Sequence, residues 1–270
     1  MVELNDILRR YFPGPEAFDR ILGLQGDIYR EMDGRRTLRF DLGGRSYFAK
    51  LHFGVGWREI FKNLLQGKRP VLGARNEREA LRCLQQLHLP TMKVAGFGIR
   101  GCNPARRQSF LITEELTGAI SLESLCRGWA AAPPPPACKR ALLEKVAFIT
   151  RKLHENGINH RDLYICHFLL EQADSFQYSD WPRLHLVDLH RAQLRNKTPR
   201  RWAVKDVAGL YFSSLDIGLT RRDLLRFIAI YRGRPLREIL KTEKKFWRAV
   251  SKRAFRLYRK MFGRNPGQSD

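Results

Sequence analysis

An amphipathic stretch that stops at a glycine, followed by two short apolar runs that each adjoin an aspartate, constrains this chain more than any other feature. Between Lys139 and Leu153, the residues Leu142, Leu143, Val146, Ile149 and Leu153 recur at helical spacing. Gly157 supplies a C-terminal stop. Ile158-Asn159-His160-Arg161-Asp162 and a strand-like Phe168-Leu169-Leu170 come next. The polar stretch with Asp174, Ser175, Ser179, Asp180 and Pro182 reads as a loop. Leu184-His185-Leu186-Val187 reads as a second strand ending at Asp188. Such a hairpin puts Asp162 and Asp188 on one rim. Phosphoryl transfer needs two carboxylates with different jobs: one accepts a hydrogen bond from the attacking hydroxyl, and one holds the magnesium on the nucleotide phosphates. Asp162 fits the first job and Asp188 the second. The bland alternative makes both of them surface or capping acids. Their order, each at the end of an apolar segment, argues against it.

The partners of such a site lie upstream. Residues 26–51 alternate as strands, Gly26–Glu31, Thr37–Leu42 and Ser46–Leu51. The connections are Met32-Asp33-Gly34-Arg35-Arg36 and Gly43-Gly44. Lys50 closes the third strand, where a kinase places the lysine that grips the α- and β-phosphates. The G-x-G-x-x-G loop is absent, which leaves Gly34 as the candidate for a phosphate-covering turn. The stretch Ala74–Leu87 is helical by pattern. Glu77 shares the stripe of Leu81 and Leu84 and is the expected Lys50 partner, with Glu79 as the fallback. Ser109–Thr113 reads as a strand, with Glu114-Glu115-Leu116 as a hinge that meets adenine mainly through backbone groups. The order Lys50, Glu77, hinge, Asp162, Asp188 resembles that of a protein kinase. The expected fold is α+β and two-lobed: a small β-rich lobe and hinge over residues 1–117, then a mainly helical lobe over 118–270. The cofactors implied are ATP and Mg²⁺.

One position departs from the protein-kinase pattern. Five residues after Asp162, where that pattern has an asparagine as second metal ligand, stands His167. Magnesium prefers oxygen ligands, so a brace for the loop is the expected role, with metal contact as the alternative. The run His160–Leu170 resembles the catalytic loop of the bacterial lipopolysaccharide core heptose kinase family. So do Val187-Asp188-Leu189-His190-Arg191-Ala192-Gln193-Leu194-Arg195, Pro70-Val71-Leu72-Gly73-Ala74 and Gly209-Leu210-Tyr211-Phe212-Ser213-Ser214. The resemblance runs from Met1 to about Leu240. It implies ATP-dependent phosphorylation of the first inner-core heptose at its 4-hydroxyl, on the cytoplasmic side of the inner membrane. The histidine at 167 belongs to this family's form of the motif. Asp206 resembles the buried aspartate that braces a kinase catalytic loop. A protein (tyrosine) kinase and a non-catalytic basic binding module are the rival readings from the residues.

Charge narrows the partners. Fifty Lys and Arg against 27 Asp and Glu leave a net +23, a field that attracts polyanions. No RNP, KH, zinc-finger or helix-turn-helix signature accompanies it, so nucleic acid is not the expected partner. An anionic glycolipid fits better. Arg191, Arg195, Lys197, Arg200, Arg201 and Lys205 follow Asp188 closely and are assigned together to acceptor binding. A small acidic protein, such as an acyl carrier protein, is a conceivable partner for this charge. Cys83, Cys102, Cys126, Cys138 and Cys166 are odd in number and lack metal spacing, which suggests reduced thiols in a cytoplasmic protein. The N-terminus has no signal-peptide core, and no segment is long and apolar enough to span a bilayer. Pro133 to Pro136 reads as a stiff connection. From Glu243 to Phe262, Phe246, Trp247, Val250, Ala254, Leu257, Tyr258 and Met261 face one side and basic residues the other. Such a helix can lie in a membrane interface or close the large lobe, and the pattern favours neither.

Overall fold

The computed structural model describes residues 1–270 except 33, 66, 68–69, 172–181 and 268–270. Asp33 and the expected loop residues Asp174, Ser175, Ser179 and Asp180 therefore lie outside the described residues. The chain divides into two compact units. The first comprises Met1–Cys83, Met92–Leu116 and Leu189–Arg191, and the second takes the remainder. Two short segments thus depart from a single division near residue 117: Leu84–Thr91 groups with the second unit and Leu189–Arg191 with the first.

The first unit contains β1 (Val2–Leu4), α1 (Asp6–Tyr11), α2 (Ala17–Leu22), β2 (Asp27–Met32), β3 (Arg35–Leu42), β4 (Arg45–His52) and α3 (Gly56–Leu65). Then come α4 (Arg75–Gln86), whose last residues group with the second unit, β5 (Val94–Arg100) and β6 (Gln108–Glu114). The strands form an antiparallel sheet in the order β1-β5-β6-β4-β3-β2. Gly43 and Gly44, with φ of 57° and 73°, make the tight β3–β4 turn that two positive-φ residues allow. Side chains alternate along a strand, so β4 sends Tyr47, Ala49 and Leu51 to one face and Phe48 and Lys50 to the other. The first set is fully buried with Leu38, Phe40, Phe110 and Ile112 beneath Leu8, Phe18 and Ile21 of α1 and α2. That packing fixes the β4 register, and the register fixes the face on which Lys50 stands.

The second unit contains β7 (Ile120–Ser121), α5 (Leu122–Cys126), α6 (Pro136–Glu155), β8 (Ile158–Asn159), β9 (Phe168–Leu170), β10 (Leu184–Leu186) and β11 (Gln193–Leu194). Four helices complete it: α7 (Arg200–Ser213), α8 (Arg221–Arg232), α9 (Leu236–Thr242) and α10 (Lys244–Phe262). Pro135 and Pro136 open α6, where proline costs no hydrogen bond. Leu142, Val146, Ile149 and Leu153 bury its inner face. Strand β9 pairs with β10 as an antiparallel hairpin. The segment after α4 is tied to β10, because Leu186 N donates to Pro90 O (3.0 Å) and Thr91 Oγ1 to Leu186 O (2.7 Å). Helix α10 lays Phe246, Val250 and Ala254 on Ala203, Val207 and Ala208 of α7.

Candidate active site

In the first unit, Lys50 projects from the central strand β4 to Glu77 in the first turn of α4. Lys50 Nζ and Glu77 Oε1 are 2.6 Å apart, and the Glu77 side chain is 2% exposed. A buried pair of this kind adds little net stability, but breaking it strands a charge. Its effect is to hold the ammonium in one place. Glu79 points elsewhere and pairs with Arg75 at 2.8 Å on the helix surface. His52, two residues on from Lys50, is buried, and its pKa is pushed down to about 3 by burial and then by Arg35, Lys50 and His190. Nothing in the sequence pattern marked His52; only the shared strand face placed it beside Lys50.

Gly34 adopts φ 71°, and a Cβ there would stand 2.0 Å from Gly54 O. Its carbonyl accepts from Phe53 N at 2.8 Å. The demonstrable requirement for glycine here is this close backbone approach. At the expected hinge, Glu114 N donates to Lys93 O and Glu115 N to Ser46 O, both at 2.9 Å. Glu115 also pairs with Arg39 at 2.8 Å. Sheet hydrogen bonds thus engage both amides, and Leu116 follows half-buried. After Asp188 the turn Leu189–Arg191 is fastened within the first unit, where Asn76 Nδ2 donates to His190 O at 3.1 Å.

In the second unit the candidate catalytic loop is clamped from beneath. Gly157 ends α6 at φ 72°, and a Cβ there would collide with Arg195 O at 1.6 Å. The chain then runs through β8 into His160-Arg161-Asp162. Asp206 of α7, fully buried, accepts from His160 N (2.7 Å) and Arg161 N (2.8 Å). His154 Nε2 lies 3.3 Å from the same carboxylate, and His154 Nδ1 lies 2.7 Å from the Tyr231 hydroxyl. Arg161 and Asp188 are non-glycine residues at φ 75° and 61°. Such strain persists only where surrounding contacts over-determine it, and it gathers at functional sites. Those contacts are visible here. His160 Nε2–H donates to Val187 O at 3.0 Å, and Val187 N donates to His167 O at 3.0 Å. Complete burial pushes the His160 pKa down, against the opposing pull of Asp206.

His167 joins the two aspartates. Its Nδ1–H donates to the Asp162 carbonyl at 2.7 Å, bracing the loop, while Nε2 lies 3.6 Å from Asp188 Oδ2. Among the described residues there is no cluster of three or more His, Cys, Asp or Glu side chains suited to a metal. The Asp188 carboxylate alone fits Mg²⁺, an ion bound through one or two carboxylates with phosphate oxygens and water, and the His167 imidazole, a poor magnesium ligand, suits the bracing role. Cys166, next in the loop, has its pKa pushed up to about 11 by burial, which leaves an inert thiol.

Residues 19–231 match the Lipopolysaccharide kinase (Kdo/WaaP) family. The chain belongs to this family. Two relatives described as lipopolysaccharide core heptose(I) kinase WaaP extend the match. One, from Pseudomonas aeruginosa, is 50% identical over 94% of this chain and 95% of the relative. The other, from Escherichia coli K12, is 49% identical over 95% of this chain and 97% of the relative. The solved structure of WaaP in complex with acyl carrier protein superposes with a TM-score of 0.84 at 45% identity, covering 96% of this chain and 99% of that one. The fold is the kinase-like pairing of a sheet lobe and a helical lobe, and the protein is a phosphotransferase.

Of the six basic residues assigned together to acceptor binding, Arg195, Arg201 and Lys205 gather around the Trp202 ring. Arg191 groups with the first unit. Arg195 braces the loop floor, donating to Asn159 Oδ1 (2.6 Å) and Gln193 Oε1 (2.7 Å). Lys197 and Arg200 line a hollow with Arg151, Tyr231 and Arg232. Arg201 and Lys205 turn towards Trp202, whose ring also lies under Arg161 and Arg195 at 5.4–5.9 Å. Trp202, one aromatic among basic residues, carries no spacing signal in the sequence.

Proposed function

We propose that this kinase phosphorylates the 4-hydroxyl of the first inner-core heptose of lipopolysaccharide, with ATP as donor. The observation that carries the reading is the clamped loop: Asp206 fixes the backbone that presents Asp162, and His167 fixes the carbonyl of Asp162 itself. A general base must be held within hydrogen-bond reach of the proton it takes, and this loop has little room to wander. In the mechanism, Asp162 orients the heptose hydroxyl and accepts its proton. Lys50, fixed by Glu77, neutralises the α- and β-phosphates. Asp188, with His167 beside it, would hold Mg²⁺, which supplies charge neutralisation on the phosphates when bound.

The acceptor is part of a lipid-anchored molecule, so we assign the kinase to the cytoplasmic face of the inner membrane as a peripheral protein. No helix among the described residues is long and apolar enough to cross a membrane. Attachment must come from a surface. Helix α3 offers one, with Trp57, Phe61, Leu64 and Leu65 exposed and Arg58 and Lys62 beside them, the pattern of a helix lying on anionic lipid. An acyl carrier protein is the proposed protein partner. Support comes from the likeness to WaaP in complex with that protein and from the net +23. The second unit also holds an apolar cavity of about 180 Å³, lined by Leu142, Val146, Leu210, Phe227 and Trp247 among others, which suits an acyl chain.

Asp162→Ala and Asp188→Ala should each lower kcat by ~10²-fold or more while the protein stays folded. The assay is transfer of labelled phosphate from ATP, with and without Mg²⁺, to core lipopolysaccharide lacking this phosphate, followed by mass spectrometry of the product. Near-normal transfer by folded Asp162→Ala protein would remove the assignment. Transfer to a protein panel, with none to the core, would move the enzyme to a different substrate class.

A further inference from the structure

We propose that Lys205 is a positioning residue that holds the Asp162 carboxylate for phosphoryl transfer, and does not bind the acceptor's anionic groups. The proposal rests on the reading of Asp162 as the base. Lys205 and Asp206 are consecutive on α7, and both reach the same loop. Asp206 takes the amides of His160 and Arg161, while Lys205 Nζ lies 3.7 Å from Asp162 Oδ1. Both side chains of the second pair are largely buried, at 20% and 19% exposed. One helix therefore fixes the backbone of the loop and its carboxylate together.

The position of the ammonium is itself held. Nζ lies 5.8 Å from the centre of the Trp202 ring, one turn earlier on the same helix face. Arg161 and Arg201 lie over that ring at 5.4 Å each. Cations gathered around one indole repel one another, and a carboxylate beside them offsets that repulsion. Arg161 precedes Asp162 in the loop and lies over the Trp202 ring, while Leu163, Tyr164, Ile165 and Cys166 follow it. Lys205, from α7, is the cation 3.7 Å from the Asp162 carboxylate. An acceptor role fits this geometry poorly. A phosphate or carboxylate on the substrate approaching Lys205 would also approach the Asp162 anion, and the two charges oppose each other at short range.

In the reaction the heptose oxygen attacks the γ-phosphorus and forms the new O–P bond. The bond from that phosphorus to the β–γ bridging oxygen breaks, and its electron pair leaves on ADP. The hydroxyl proton passes to the Asp162 carboxylate. Lys205 remains an ammonium throughout and acts only by orienting the carboxylate through Oδ1.

The test is steady-state kinetics with ATP and lipopolysaccharide core as acceptor. Lys205→Met should lower kcat about 10-fold or more and leave the KM of acceptor and ATP within roughly threefold. Lys205→Arg should recover most of the loss. On an Asp162→Ala background, Lys205→Met should cost less than about threefold, because a residue that acts through Asp162 has nothing left to hold. A rise in acceptor KM at unchanged kcat would return Lys205 to acceptor binding and overturn the proposal. Multiplicative losses in the double variant would overturn it as well. If Lys205→Met lowers the melting temperature, Lys205→Gln and Lys205→Arg provide the same comparison. Failure of the underlying reading shows separately: the unsubstituted enzyme would not phosphorylate the core, or Asp162→Ala would remain active.

Discussion

Helices α3 and α10 carry the same kind of pattern and meet opposite fates. Each is amphipathic, with aromatic residues on one side and basic residues on the other. In α10 the apolar side is covered: Phe246, Val250, Ala254 and Tyr258 are buried, and the exposed apolar residues are the last ones, Met261 and Phe262. In α3 only Ile60 is buried, while Trp57, Phe61, Leu64 and Leu65 are 50%, 57%, 55% and 89% exposed. The difference lies in what each unit has left to pack. Helix α7 offers α10 the small residues Ala203, Val207 and Ala208, which allow close approach. In the first unit α1 and α2 already cover the apolar sheet face, so α3 finds no such partner there. Periodicity tells that a helix has an apolar face; the rest of the chain decides whether protein or something else covers it.

The largest effect should come from attacking the covered face. Val250→Asp would bury an unpaired charge against α7 and should cost about 3–5 kcal/mol, enough to unfold much of the protein. The urea midpoint reads this directly. Removing residues 243–270 should likewise destroy cooperative unfolding, because it bares Val207 and Ala208. A truncated protein that stays soluble and folded would show that α10 is an accessory and would break the comparison.

Polar substitution of the exposed face of α3 should do the reverse. Trp57→Ser with Phe61→Ser should leave stability within about 1 kcal/mol, as for other exposed positions. Partitioning onto vesicles containing anionic lipid should fall roughly 10-fold or more, since each aromatic is worth ~1.5–3 kcal/mol when buried. Co-sedimentation at two salt concentrations separates the contributions: the residual binding should weaken as salt rises, through the charges that remain. Unchanged partitioning would assign the exposed ridge to some partner other than lipid.

How much of this was legible beforehand follows the same division. The candidate site residues could be picked out because they sit near the ends of periodic segments: Asp162 after a helix and a short strand, Asp188 after the next, Lys50 two residues before the end of β4. Glu77 was distinguishable from Glu79 because helical geometry puts it on the stripe of Leu81 and Leu84. The contacts that lock the site were less accessible. Asp206 was recognised only through resemblance, and the link from His160 to Val187 depends on the segments that follow β8 and β10 meeting in space. The basic run after Asp188 was legible only as charge, because the meeting of Arg195, Arg201 and Lys205 around Trp202 depends on α7 lying beside the loop. Helix α3 went unmarked because its apolar residues Trp57, Ile60, Phe61, Leu64 and Leu65 recur over only ten residues, a short window for periodicity.

The smallest effect tests the wet side of α10. Lys245, Arg248, Lys252 and Arg256 are all exposed, and the sequence alone allowed them to rest on lipid. Burial of the opposite face removes the apolar anchor that would draw this helix into an interface, leaving a basic surface without hydrophobic insertion. Lys252→Gln and Arg256→Gln should therefore leave the urea midpoint unchanged and alter vesicle binding less than about twofold at physiological salt. A basic residue held at the membrane surface contributes about 1 kcal/mol, so the double substitution would weaken binding more than ~10-fold if this face met lipid. A loss of that size, with the Trp57 and Phe61 substitutions silent, would exchange the roles of the two helices: α10 would be the surface that meets lipid, through charge alone, and the ridge on α3 would be left for a protein partner.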